Sequence, residues 1–300
     1  MPLEVRKPPF RIDETVPFQW QPANPAFGLF GNMFTFMAIA FERYVVSATR
    51  QAMDRIADAA VAEEADLFVR QEAQHARAHR AHAMAMISQH PGLQHTYEAA
   101  NAAFDELLAA EDVELHLAYV ASLEATFTPL FKMVFDNRAA LFEGGDERIG
   151  TLLLWHFAEE IEHRSSALLI HRAVTPDPWY RLRVTPRVIR HVSGVFDLIA
   201  DGFEEHVGAD ACGISPKAVS SGGLVTSELK VRFSPRRAQL PPSMLGQVPG
   251  RDLRAMGRRI VGSQRPRHDP AHQPLPAFAD TWFSAWDRKA DVTTYAGVGL

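Results

Sequence analysis

The chain has 300 residues, 47% of them hydrophobic and 22% charged, with a single cysteine, Cys212. This composition excludes a wholly disordered chain, a collagen and a disulfide-stapled secreted module, and it allows a sizeable buried core. The net charge of −5 is unevenly spread: residues 1–207 carry 18 basic against 29 acidic side chains, and residues 208–300 carry 13 against 7.

The first thirty residues read as an extension that lacks the apolar region of a secretory signal. Together with the lone cysteine, this predicts a cytoplasmic protein. The most apolar run, residues 27–41 (FGLFGNMFTFMAIAF), is too short to cross a bilayer and predicts a buried helix. Apolar residues at helical spacing predict a first helix over residues 32–60 and a second over 61–89, stopped by Pro91 and Gly92. A shorter helix over 97–110 precedes a third long one over 112–137, which Pro129 should kink or end. Gly144, Gly145 and Asp146 make the next break. A fourth long helix then runs over 147–174, and Pro176 and Pro178 end it. An amphipathic stretch over 188–207 closes the body. Residues 208–300 hold 9 of the 20 prolines and 10 of the 18 glycines, which predicts loops with short helices over 251–260 and 277–288. The expected fold is all-α. An antiparallel four-helix bundle occupies residues 31–207 with extra helices outside it. The basic tail, 208–300, wraps the acidic body or is partly disordered.

Two of the long helices contain Glu-x-x-His, as Glu72 with His75 and Glu160 with His163. Residues three apart share a helix face, so each pair can reach one point. About one such pair is expected by chance in a chain of this composition, so a single occurrence means little. The accompanying residues carry the information. The first and third long helices each hold one glutamate on an otherwise apolar face, Glu42 in FMAIAFERYVV and Glu124 in LAYVASLEATFTPLF. A carboxylate facing a bundle core must be paired, neutralised or metal-bound. The order along the chain, Glu, Glu-x-x-His, Glu, Glu-x-x-His, resembles the ligand set of ferritin-like di-metal carboxylate proteins. His156 stands four residues before Glu160 and is a further candidate nitrogen ligand. Glu159 competes with Glu160, because it stands three residues after His156 and four before His163, but the Glu-x-x-His spacing shared with the second helix favours Glu160. His75, His79 and His82 share a face of the second helix, where the latter two serve either as a zinc-type His-x-x-x-His pair or as outer histidines. The metal-free alternative pairs the buried glutamates with histidine or with Arg43 and Arg164. Met33 and Met37 read as core packing.

The segment Trp155-His156-Phe157-Ala158-Glu159-Glu160-Ile161-Glu162-His163 resembles a bacterial family of predicted metal-dependent hydrolases, thought to be ferritin-like. The resemblance covers residues 20–207 and, more loosely, the tail. The ligand order also resembles that of the di-iron p-aminobenzoate N-oxygenases, with Glu42, Glu72, His75, Glu124, His156, Glu160 and His163 at the matching positions.

These residues predict an enzyme with two iron ions that activates O2 to oxidise a small organic substrate. Glu72 and Glu160 are expected to bridge the ions, with Glu42 and Glu124 terminal, and manganese or a mixed pair is an alternative filling. Phe34, Phe127 and Phe157 are expected to supply an apolar wall. Hydrolysis by metal-activated water, with zinc as a suitable ion, is the alternative reaction. A non-catalytic metal-binding bundle is the third reading. The expected partners are the substrate and O2, with a homodimer possible and neither nucleic acid nor membrane implicated.

Overall fold

Asn24 starts the first helix. Its side chain accepts a hydrogen bond from the Phe27 N–H at 3.1 Å, and Pro25 takes the first helical position, where a missing N–H costs nothing. In the computed structural model of the protein, which describes residues 3–222, 243–271 and 273–294, α1 therefore spans Pro25–Ala52. It begins earlier than the periodicity suggested, because Gly28 and Gly31 lie within it. Gly31 is required by contact: a Cβ there would meet the Trp20 ring at 2.8 Å. The helix also stops earlier than expected. A 3-10 turn follows, and Asp58 caps α2 (Ala59–Gln89) by accepting from Ala60 and Val61.

The remaining elements are α3 (Leu93–Ala110), α4 (Val113–Asp136), α5 (Arg138–Phe142), α6 (Glu147–Glu162), α7 (Ser166–Val174), α8 (Tyr180–His206) and α9 (Ala209–Cys212). Beyond them lie α10 (Gly250–Ser263) and α11 (Ala277–Asp287). No strand occurs among the described residues, so the fold is all-α. Pro129 sits inside α4 without ending it, and Pro186 sits inside α8, which begins well before the amphipathic stretch seen in the sequence.

The fourth long helix is not continuous. It breaks at His163, where Arg164 turns its guanidinium back onto the carbonyl oxygens of Ile161 (2.8 Å) and Glu162 (3.3 Å). A side chain that occupies freed carbonyls replaces the next helical turn.

Four helices close a ring: α1 packs on α2, α2 on α6, α6 on α4, and α4 on α1. α3 and α8 pack outside α1, and α7 covers α2 and α4. Large buried rings fill the bundle, among them Phe36, Phe68, Phe131 and Trp155. The N-terminal segment lies on the bundle, held by Trp20 Nε1 donating to the Gly28 carbonyl (2.8 Å) and Asn32 Nδ2 donating to that of Phe18 (2.8 Å). The described tail also contacts the bundle, with α10 on α4 and α11 on α6. Residues 223–242, and any disorder expected there, lie outside the described residues. No helix among the described residues is long and apolar enough to cross a membrane.

Candidate metal centre

Each helix of the ring delivers acidic or imidazole side chains to its axis. Glu42 comes from α1, Glu72 and His75 from α2, Glu124 from α4, and His156 and Glu160 from α6, while His163 caps the end of α6. All seven are at most 2% exposed. They form two groups, in each of which one donor atom per residue lies within 4.8 Å of the others. One is Glu42, His75, His156 and Glu160; the other is Glu72, Glu124, Glu160 and His163.

Glu160 belongs to both groups. Its Oε1 lies 2.8 Å from His156 Nε2 and 3.3 Å from His75 Nδ1, and its Oε2 lies 3.1 Å from His163 Nε2. Glu72 is assigned to the second group, with Oε1 3.2 Å from His163 Nε2. Its Oε2 faces His75 Nδ1 of the first group at 3.9 Å.

The arrangement is unsatisfied as protein alone. Both carboxylate oxygens of Glu42, Glu72 and Glu124, and His75 Nδ1, are buried with no hydrogen-bond partner. Buried polar atoms are normally paired, and a buried charge without a partner costs several kcal/mol. Burial pushes the carboxyl groups of Glu42 and Glu124 well above the usual range and that of Glu72 up to about 7, with neighbouring glutamates adding to each rise. Burial also opposes the charge of Glu160, but His163, His156 and His75 around it hold its carboxyl well below the usual range. Convergent oxygens and nitrogens that hydrogen bonds leave unsatisfied, with about four negative charges, suit two divalent cations. The donor set therefore fits a pair of such ions.

Without ions, the histidines are the cations at hand: His156 Nε2 lies 3.3 Å from Glu42 Oε1 and His163 Nε2 3.4 Å from Glu124 Oε2. Although burial opposes it, the surrounding carboxylates raise His75 and His163 well above the usual imidazole range. The arginine alternatives lie elsewhere. Arg43 is half exposed and turns to Asn101 and Asp105, and Arg164 spends its guanidinium on backbone carbonyls, including that of Gln273 at 2.7 Å. Neither arginine pairs with a glutamate of the two groups.

Glu159 has a different task from Glu160. Its Oε2 lies 2.9 Å from His75 Nε2, the ring nitrogen facing away from the cluster, and its Oε1 accepts from Arg6 at 3.2 Å. Arg6 also holds Glu162 at 2.7 Å, Gln71 Nε2 donates to the same carboxylate, and Gln71 Oε1 meets His163 Nδ1 at 3.0 Å. The outer nitrogen of His156, Nδ1, lies 2.7 Å from His79 Nε2. Behind it, Thr35 Oγ1 touches both His79 Nδ1 (3.0 Å) and His82 Nδ1 (2.9 Å). All three inward histidines thus have their outer nitrogens held, which sets ring orientation and tautomer. His79 and His82 stand behind His156 and fall outside both donor groups found among the described residues. Arg6, Gln71 and Thr35 escaped the sequence analysis. Gln71 stands beside Glu72 in the sequence, but Arg6 lies in the extension, where no periodicity marks it.

An apolar cavity of about 380 Å³ opens onto the first group. Glu42, His156 and Glu160 reach it, and Phe30, Phe34, Phe41, Phe127 and Phe196 line much of the rest. Met37 lines it too, so it is more than core packing. Phe157 lies behind the wall, stacked on Phe131 at 4.0 Å and against Phe34 at 5.5 Å, and does not line the cavity.

A family model described as predicted metal-dependent hydrolase matches residues 4–209. The chain belongs to that family. The span matched by the metal-dependent hydrolase model includes Arg6 and all four helices of the ring. The family's description sides with the hydrolytic reading rather than with O2-dependent oxidation. No curated protein and no solved structure matches the chain.

Proposed function

We propose that this protein is a dinuclear metal-dependent enzyme acting on a small apolar substrate, with hydrolysis as the reaction. Glu42, His75 and His156 would hold one ion and Glu72, Glu124 and His163 the other, with Glu160 shared. The observation that carries this reading is the position of Glu160, whose two oxygens face two groups of buried, largely unpartnered donors. The family description supports hydrolysis. Two divalent ions supply an activated water at neutral pH and take up the charge that develops on an ester or amide.

The protein's own part is positional. Glu159, Gln71 and His79 hold the three imidazoles in place, and Arg6 anchors Glu159 and Glu162. The phenylalanine wall receives the apolar part of the substrate and keeps bulk water from its reacting end.

One observation favours a second reading, oxidation with O2 by a pair of iron ions. The cavity beside Glu42 and His156 is walled mainly by aromatic and aliphatic side chains, with Ser193 and Ser221 its only hydroxyl groups among the described residues. Such a wall provides little to stabilise an oxyanion and suits a redox site from which water is excluded.

Metal analysis of the purified chain should find about two ions, and Glu160→Ala should remove most of both. Zinc- or manganese-loaded protein should then cleave a chromogenic ester bearing an apolar acyl chain, with that activity lost in Glu160→Ala. Loss of ester cleavage together with O2 uptake and transient visible absorption by the ferrous protein would replace hydrolysis with oxidation. Absence of stoichiometric metal would overturn both readings.

A further inference from the structure

Away from the ring, a second cavity of about 300 Å³ lies where the end of α7 and the start of α8 meet the loop after α10. Arg172, Arg181 and Arg267 line it, and Asp269 is its one carboxylate among the described residues. Asp269 uses Oδ1 to accept the Ala271 N–H at 3.0 Å. The guanidinium of Arg181 is 3% exposed and donates only to neutral oxygens: Gln264 Oε1, the Ser263 carbonyl and the Arg265 carbonyl, each at 2.9 Å. Arg172 likewise donates to the His268 carbonyl. None of the three arginines forms an ion pair with a carboxylate among the described residues, so three positive charges gather here against the single negative charge of Asp269.

Two buried side chains in the same wall have nothing to bond. His171 is 3% and Thr175 6% exposed; both line the cavity, and His171 Nε2 and Thr175 Oγ1 have no hydrogen-bond partner. An imidazole N–H and a hydroxyl are both able to donate to an anionic oxygen. Burial, with Arg172 beside it, lowers Arg181 to about 10, and burial with both arginines lowers His171 to about 4. Burial is the larger cause of both shifts, and the neighbouring arginines add to it.

We propose that this cavity binds a small organic oxyanion, a phosphate or a carboxylate. The anionic head would be held by Arg172 and Arg267 at the mouth and by His171 and Thr175 within. Charge-assisted bonds to guanidinium are the strong ones in such sites, and paired donors of this kind recognise planar carboxylate and tetrahedral phosphate alike. The space exceeds what a bare anion needs. Pro176, Pro178 and Pro266 in the wall would contact an apolar body attached to it.

The test is calorimetric titration of the full chain with phenyl phosphate and with benzoate, at constant ionic strength and against a chloride control. Saturable binding of either probe is expected, with a shift of the His171 ring resonances on addition. The double variant Arg172→Gln, Arg267→Gln changes two exposed residues and should fold. It should weaken binding by at least about tenfold with metal content unchanged. Preference for phenyl phosphate identifies the natural head group as phosphate, and preference for benzoate identifies it as carboxylate. No binding above the chloride control overturns the proposal. So does equal binding by the double variant, which would put the anion elsewhere, the metal centre included.

Discussion

Glu159 and Glu160 are adjacent in the chain and face different partners. One residue along a helix is a rotation of about 100°. That rotation puts Glu160 between the two donor groups and turns Glu159 toward His75 Nε2 and Arg6. Either glutamate stands three or four residues from both His156 and His163, so only the Glu-x-x-His match to the second helix favours Glu160 in the sequence. On the proposed assignment, Glu159→Gln should keep both ions but weaken their affinity by roughly 10–100-fold, as removal of an outer partner of a ligand does. Glu160→Ala should lose them outright. Competition with a chromophoric chelator measures both. Equal loss in the two variants would count against the division of roles.

At the scale of elements, capping decided where the site helices begin and end. Apolar periodicity marked α1, α2, α4 and α6 because each buries a continuous stripe. It missed the start of α1, where Asn24 makes two bonds: its Oδ1 accepts from Phe27, and its Nδ2 donates to the Met244 carbonyl at 3.0 Å. Asn24→Ala should cost about 1–2 kcal/mol, and Asn24→Ser, which keeps a capping oxygen, should recover part of it. Urea midpoints of the two variants check this. No change in Asn24→Ala would mean that the cap does not hold α1 in place. The break after α6 was equally hidden. His163 and Arg164 belong to a sequence with good helical spacing, and the break shows only in the structure, where Arg164 returns to the Ile161 and Glu162 carbonyls and the Ser166 N–H turns to the His163 carbonyl.

For the molecule as a whole, the ring brings four carboxylates and three imidazoles into a buried interior where each is at most 2% exposed. Folding without cations must therefore protonate or strand several of them. Bound ions would relieve that cost, so stability should depend on metal. A free metal concentration about a hundredfold above a site's dissociation constant adds about 2.7 kcal/mol per site. Stripping the protein with a chelator should accordingly lower its Tm by several degrees, and adding back the divalent ion should restore it. A Tm indifferent to both treatments would argue for a metal-free core. The N-terminal segment belongs to the same unit, because Arg6 is the cation nearest the outer carboxylates Glu159 and Glu162.

The all-helical class, the four helices of the ring and the seven inward residues were legible in the amino-acid sequence. Burial and periodicity are local properties, and an acidic residue on an apolar helical face is conspicuous. The grouping was not legible. That Glu160 spans both groups, that Glu159 and His79 stand behind histidines, that Arg6 reaches in from the extension, and that Met37 rather than Phe157 lines the cavity depend on side chains meeting from distant parts of the chain. The charged cavity of His171, Arg172, Arg181 and Arg267 is a further case, since its arginines are unremarkable in sequence. Only the packing of α7, α8 and the loop after α10 brings them together around one cavity, with Asp269 its one carboxylate among the described residues. Such encounters depend on helix rotation and loop path, which no single stretch of sequence encodes.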